Sequence, residues 1–252
     1  MLKIRVMPTL LFKNFGLVKS VQFDSWRRIG SVMQAVKVYN LREVDELVFL
    51  DISATPDGHP PDFETVDEIA DECFMPLTVG GGVKSVADVR GLLQVGADKV
   101  AINTAAVQNP ELIQAAAQQF GSQCVVISID VKKHSNGTYE VFTHAGTQPT
   151  GKDPVIWAKE VESLGAGEIL LTSIDRDGTM TGYDTELTKN ISHAVSIPVI
   201  ASGGAGSYQD MASVLLEGRA SAVAAASIFH FTQQTPLEAK HFLNGLGLNV
   251  RL

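Results

Sequence analysis

The sequence predicts an α/β fold: a (β/α)8 barrel assembled from two similar half-barrels. Three observations predict it. Eight short apolar runs alternate with helix-period segments along the 252 residues, the pattern of a parallel sheet with crossover helices. The chain resembles itself at an offset close to half its length, as duplicated halves would. No Pro/Gly/Ser-rich linker divides it, so one barrel domain over residues 1–252 is expected.

In order, the strand candidates are residues 4–11, 46–51, 76–79, 98–102, 124–130, 168–173, 198–202 and 221–226. Each is short and β-branched or aliphatic, which suits a strand buried on both faces. Helix-period stretches lie between them, such as SVADVRGLLQVG (85–96) and DPVIWAKEVESLG (153–165). DELVFLDIS, from 45, returns as GEILLTSID from 167; MPLTVGGGVKS, from 75, returns as IPVIASGGAGS from 197. Both offsets are 122 residues. The first strand aligns with the fifth at an offset of 119, placing Leu11 opposite Asp130 and Lys13 opposite Lys132.

Bulk properties exclude several functions. A net charge of −8 argues against general nucleic-acid or membrane-surface binding, and leaves room for a local basic site for a phosphate. The N-terminal apolar run is too short for a signal peptide, and no run reaches the ~18 residues of a membrane span. A cytoplasmic protein is expected, with Cys73 and Cys124 as buried thiols rather than a disulfide framework. Its six histidines show no HxH or HExxH spacing and no Cys/His cluster, so no metal is expected. Neither a P-loop nor any cofactor is indicated.

Barrel active sites lie at the C-terminal ends of the strands. Glycine clusters fall there, with Gly80, Gly81 and Gly82 after the third strand and Gly203, Gly204 and Gly206 after the seventh. Such turns let backbone N–H groups approach an anion, although a tight turn alone can require glycine. Two matching copies, followed by Asn103-Thr104 and Ala226-Ser227 at the next strand ends, favour phosphate binding on opposite sides of the barrel. A long substrate phosphorylated at both ends would fit. IDRDGT (174–179) brings Asp175, Arg176, Asp177 and Gly178 to the lip of the site. Asp51 and Asp130 end strands at the mouth, where a carboxylate serves proton transfer or accepts hydrogen bonds from loop amides. FHF (229–231) is expected under the barrel or along the last helix.

DELVFLDI, PLTVGGG, GADKV, FGSQC, GAGEILLTS, DRDG, IPVIASGGAGS and AASIFHF together carry a specific resemblance. The chain resembles the cyclase subunit of imidazole glycerol phosphate synthase, of histidine biosynthesis, over nearly its whole length. That resemblance implies a glutaminase subunit docked on the N-terminal barrel face. Ammonia released there would pass through the barrel to a two-phosphate substrate at the opposite mouth. It further implies a charged channel entrance of Arg5, Glu46, Lys99 and Glu168, each near a strand start. Asp98 matches a position that meets the glutaminase, Asp130 one catalytic carboxylate, and Lys19 the lysine of the flexible loop after the first strand.

The departure is at the other catalytic carboxylate. The family pattern PCLDVK is here PTLLFK, so Leu11 replaces the aspartate. Leucine neither titrates nor accepts a hydrogen bond, which argues against the imidazole-forming cyclisation. LLFKNFGLVK is similar to a divergent branch associated with surface-polysaccharide clusters, in which an acetamido group on a sugar becomes acetamidino. The implied function is an ammonia-channelling, lyase- or amidotransferase-type synthase subunit. It would work with a glutaminase and a separate ATP-dependent sugar amidotransferase. Two alternatives stay open: a genuine cyclase subunit of histidine biosynthesis, and a non-catalytic scaffold that activates a glutaminase.

Overall fold

The computed structural model describes residues 3–14 and 16–252. Twelve strands follow in chain order: β1 Arg5–Phe12, β2 Leu17–Val21, β3 Asp24–Gly30, β4 Leu47–Asp51, β5 Leu77–Gly80, β6 Lys99–Ile102, β7 Val125–Lys133, β8 Tyr139–Thr143, β9 Gln148–Pro149, β10 Glu168–Ser173, β11 Val199–Ser202 and β12 Ala222–Ala225. Eight of them (β1, β4, β5, β6, β7, β10, β11, β12) are parallel neighbours in a closed ring, with β1 pairing β12 and β7 pairing β10. This is the expected (β/α)8, or TIM, barrel, and each barrel strand overlaps one of the eight apolar runs.

Helices fill the crossovers because their sequences start them clearly. Ser85 and Ser207 form matching capping boxes with Asp88 and Asp210, each satisfying two otherwise orphaned donors. Asp153 accepts from Val155 and Ile156 N–H at the start of Pro154–Ser163, where Pro154 presets the first turn. The outer core lies between these helices and the sheet, with Leu10, Leu47, Val79, Ile127, Trp157 and Ile169 buried in it.

Inward-facing residues alternate along each strand and stack in layers. Met7, Val48, Ala101, Val126, Leu170, Ile200, Ala222 and Ala224 form the apolar middle of the barrel. Three of these eight are alanine and the other five are Met, Val, Leu or Ile, so the layer mixes small and large apolar side chains.

Two antiparallel excursions rise from the C-terminal rim and were not anticipated as strands. The segment read as a flexible loop after the first strand is the β2–β3 hairpin, and β8–β9 folds back on β7. Phe23, at the first hairpin's tip, packs against Gly146 in the second hairpin's loop, where any side chain would collide with the ring. The FHF segment divides. Phe229 joins the core with Ala239 and Leu243 of the last helix, whereas His230 packs edge-on to Tyr39 and Phe231 lies under Arg27 of β3. Cys73 and Cys124 are free and half-buried rather than buried. Among the described residues, no helix is long and apolar enough to cross a membrane.

Candidate active site at the barrel mouth and a charged ring beneath it

The C-terminal mouth encloses a cavity of about 370 Å³. Leu11, Lys19, Asp51, Gly81, Gly82, Asn103, Thr104, Asp130, Asp177, Gly178, Gly203, Gly204, Ala226 and Ser227 all line it, whereas Asp175 and Arg176, expected at its lip, line a separate surface pocket with Lys133 and Glu186.

Asp130, near the end of β7, is the central titratable group. It is buried, and Asn103 Nδ2 donates to its Oδ2 at 2.8 Å. Burial is the largest influence and raises its pKa to about 7; hydrogen bonds from Asn103, Ser128 and Thr172 oppose the rise and Asp177 adds to it. A carboxyl with that pKa can donate or accept a proton near neutrality. Leu11 faces the same cavity from β1 and offers only methyl groups.

Lys19 belongs to β2, not to an open loop, and is only 4% exposed. Its Nζ donates to Asp177 at 2.9 and 3.1 Å and to the Ser20 carbonyl at 3.0 Å. Gln22 extends the clasp: its N–H meets the Asp177 carbonyl and its Nε2 the Asp175 carbonyl. Gly178 is required here, because it has φ +73° and a side chain on it would strike the Ser20 carbonyl. The first hairpin is therefore fastened across the mouth to the loop after β10. Asp177 alone would repel an anion, and Lys19 offsets its charge.

The two glycine turns are built alike. Gly81, Gly82, Gly203 and Gly204 all have positive φ, and a side chain on any of them would collide with neighbouring backbone. Glycine is thus required by the turn itself. What points to a ligand is the setting, since both turns open on the cavity beside matched helix starts. Asn103 (φ −119°, ψ −82°) and Ala226 (φ −126°, ψ −67°) lead into the helices Thr104–Gln108 and Ser227–Phe231 with nearly equal dihedrals. Thr9 Oγ1, Asn103 Oδ1 and Ser227 Oγ are buried without a hydrogen-bond partner, and all three residues line the cavity. Buried polar atoms are normally satisfied, so a polar ligand or water belongs among them.

Asp51 behaves differently from Asp130. Its Oδ1 accepts from Ser53 N–H, Ser53 Oγ and Ala54 N–H at 2.8, 2.6 and 3.1 Å, so it organises the turn after β4. Asp175 similarly accepts from Lys133 N–H at 2.7 Å. Thr9, Phe23, Trp26, Ser128 and Thr172 also line the cavity and escaped the sequence reading. Thr9, Ser128 and Thr172 could have been found from period-two spacing to Leu11, Asp130 and Leu170. Trp26 had no such signal.

At the opposite end of the barrel four charges close a ring. Arg5 bonds Glu46 at 2.7 Å and Glu168 at 2.9 Å; Lys99 bonds the same two glutamates at 2.9 and 3.1 Å. Thr78 Oγ1 completes Glu46, donating at 2.6 Å. Burial alone would lower the Arg5 pKa, and the fields of Glu168 and Glu46 more than offset it. Asp98 is exposed on the same face, one carboxylate oxygen accepting from Leu77 N–H at 2.8 Å. The family model described as Histidine biosynthesis protein matches residues 5–235, a span that contains every residue of the mouth and the ring.

Proposed function

This chain belongs to the histidine biosynthesis protein family, and from that premise we propose that it is a cyclase-type, ammonia-channelling synthase subunit. It works with a glutaminase subunit on its N-terminal face, in the acetamidino modification of a surface-polysaccharide sugar. The observation that carries the reading is the ring of Arg5, Glu46, Lys99 and Glu168 below the apolar barrel centre. Stability alone gives little reason for four converging charges, because well-packed apolar residues of similar volume do as well or better. A ring of alternating sign at the foot of an apolar barrel centre suits the selection and passage of a small polar molecule such as ammonia.

The mouth narrows the chemistry. Cyclisation by a pair of carboxylates needs a second acid opposite Asp130, and Leu11 occupies that place. Delivery of ammonia to a carbon activated elsewhere needs only one proton acceptor, which Asp130 supplies at neutral pH. Forming an amidine from an amide requires activation of a poor leaving oxygen, and the separate ATP-dependent amidotransferase would provide it. The second reading, a genuine histidine-pathway cyclase, draws its support from the two matched glycine cradles, which suit a bisphosphate.

One assay separates them: the purified chain with the histidine-pathway bisphosphate and an ammonium salt, beside Leu11→Asp. The proposal expects no turnover by the unmodified chain. Turnover there overturns it and shows that one carboxylate suffices. Activity appearing only in Leu11→Asp shows that the pocket persists and only the acid/base pair was lost.

A further inference from the structure

Both halves of the chain give the cavity polar and apolar lining: Asp130 and Asp177 stand with Leu170 and Ala224 in the second half, Lys19 and Asp24 with Leu11 and Leu50 in the first. The two aromatic residues of the lining, Phe23 and Trp26, both come from the first hairpin.

Trp26 is the most unusual member. It stands on β3, whose residues Asp24–Arg28 all face solvent, and it is 49% exposed while lining the cavity. Lys13 Nζ lies 4.3 Å from the centre of its ring. A lysine over an indole is a cation–π contact that covers one face and leaves the other to be covered. The same lysine lines the cavity and brings positive charge to a chain of net charge −8. An indole face beside a cation, at the rim of a cavity with anion-suited turns, is complementary to a ring joined to a phosphate.

We propose that Trp26 and Lys13 form an outer subsite for the ring of a phosphate ester. The ring stacks on the open indole face and the phosphate reaches inward to the glycine turns. This rests on reading those turns as phosphate cradles. The ring is either a sugar presenting its C–H face or a nucleobase presenting its π face.

The chain has two tryptophans, and Trp157 is 1% exposed in the core, so ligand-induced changes in fluorescence report on Trp26. The full chain is titrated with pyrophosphate, UDP, N-acetylglucosamine 1-phosphate and UDP-N-acetylglucosamine, and each is repeated with Trp26→Ala by calorimetry. At least one ring-bearing compound should bind about tenfold tighter than pyrophosphate, the range expected of aromatic stacking. Trp26→Ala should abolish that advantage while leaving pyrophosphate binding within twofold, and Trp26→Phe should retain most of it. UDP and the sugar phosphate then tell which ring occupies the subsite. If pyrophosphate binds and the rings add nothing, or Trp26→Ala changes nothing, the subsite is overturned and the cradles stand. If none of the four binds, the cradle reading fails and the subsite fails with it.

Discussion

The two halves of the barrel share a backbone and differ in chemistry. The glycine turns after β5 and β11, the capping boxes at Ser85 and Ser207, and the dihedrals of Asn103 and Ala226 coincide across the pseudo-twofold axis. Yet Leu11 faces Asp130, and three of the four ring charges (Arg5, Glu46, Lys99) come from the first half. By the same pairing Cys124 and Ala222 stand where Arg5 and Lys99 do. Only the glutamates match, Glu46 with Glu168. The lesson is that duplication fixes where side chains point and leaves open what they do. The first half holds most of the charged ring and both aromatic residues of the cavity lining; the second holds the titrating Asp130.

That comparison can be broken most directly at Asp130. Asp130→Asn should lower ammonia incorporation at the mouth by roughly 10²–10⁴-fold, the usual worth of general acid/base catalysis, measured as product formed with the partner enzymes and ammonium. A smaller loss would move the chemistry away from the second half. At the other end, Glu46→Ala leaves Arg5 and Lys99 sharing Glu168 alone and Thr78 Oγ1 without its acceptor. A loss of about 1–3 kcal/mol in denaturant unfolding is expected, as for a buried hydrogen-bonding group left unsatisfied.

Asp130 also makes stability depend on pH. Its folded pKa of about 7 exceeds the unfolded value of 3.8, so the folded state holds the proton more tightly. Its contribution is most favourable below pH 4, declines as pH rises towards 7 and is flat above. The decline amounts to about 4 kcal/mol at 1.36 kcal/mol per pH unit. Unfolding of the unmodified chain and Asp130→Asn at pH 5 and pH 8 should therefore diverge, the variant gaining relative stability at pH 8. Parallel behaviour would mean that Asp130 is not buried as an acid.

Gly204→Ala sharpens the comparison of the turns. With φ +111° and the Gly182 carbonyl in the way, it should cost about 1–3 kcal/mol, as for residues held in sparsely populated backbone regions. Gly82→Ala, the matching position 122 residues earlier, at φ +72° beside the His59 carbonyl, should cost a similar amount if the halves are equivalent. The smallest effect belongs to Asp98→Asn. The amide oxygen can still accept from Leu77 N–H, so the unfolding free energy should hold within about 0.5 kcal/mol, as is usual for surface changes, while the proposed binding to a glutaminase subunit weakens.

Much of this was legible because barrel strands buried on both faces read as short apolar runs, and all eight stood out. The hairpins did not. The β3 segment DSWRRIG is exposed and polar and shows no alternation, and its turn uses Gln22 and Phe23 at positive φ, where glycine or asparagine would have announced it. Asn136-Gly137 does announce the turn between β7 and β8 and was overlooked amid flanking lysines. At the mouth, glycines and carboxylates identified the site from type and position. Trp26 could not be found that way, since an exposed tryptophan acquires meaning only when the hairpin folds it over the cavity. The division of labour between Asp51 and Asp130 was likewise invisible. Both end strands, and only local hydrogen bonding separates the turn organiser from the titrating group.

The pairing of β1 with β12 has a consequence during synthesis on the ribosome. The first strand is made some 210 residues before its final neighbour. At about 5–20 residues per second that is roughly 10–40 seconds. Through that interval one edge of the sheet is open, and the buried clasp of Lys240 on Asp45 and the Glu43 carbonyl cannot yet form. The nascent chain must hold an unfinished edge apart from its neighbours until the last helix arrives, so a ribosome stalled near residue 220 would release an adhesive fragment rather than a smaller protein.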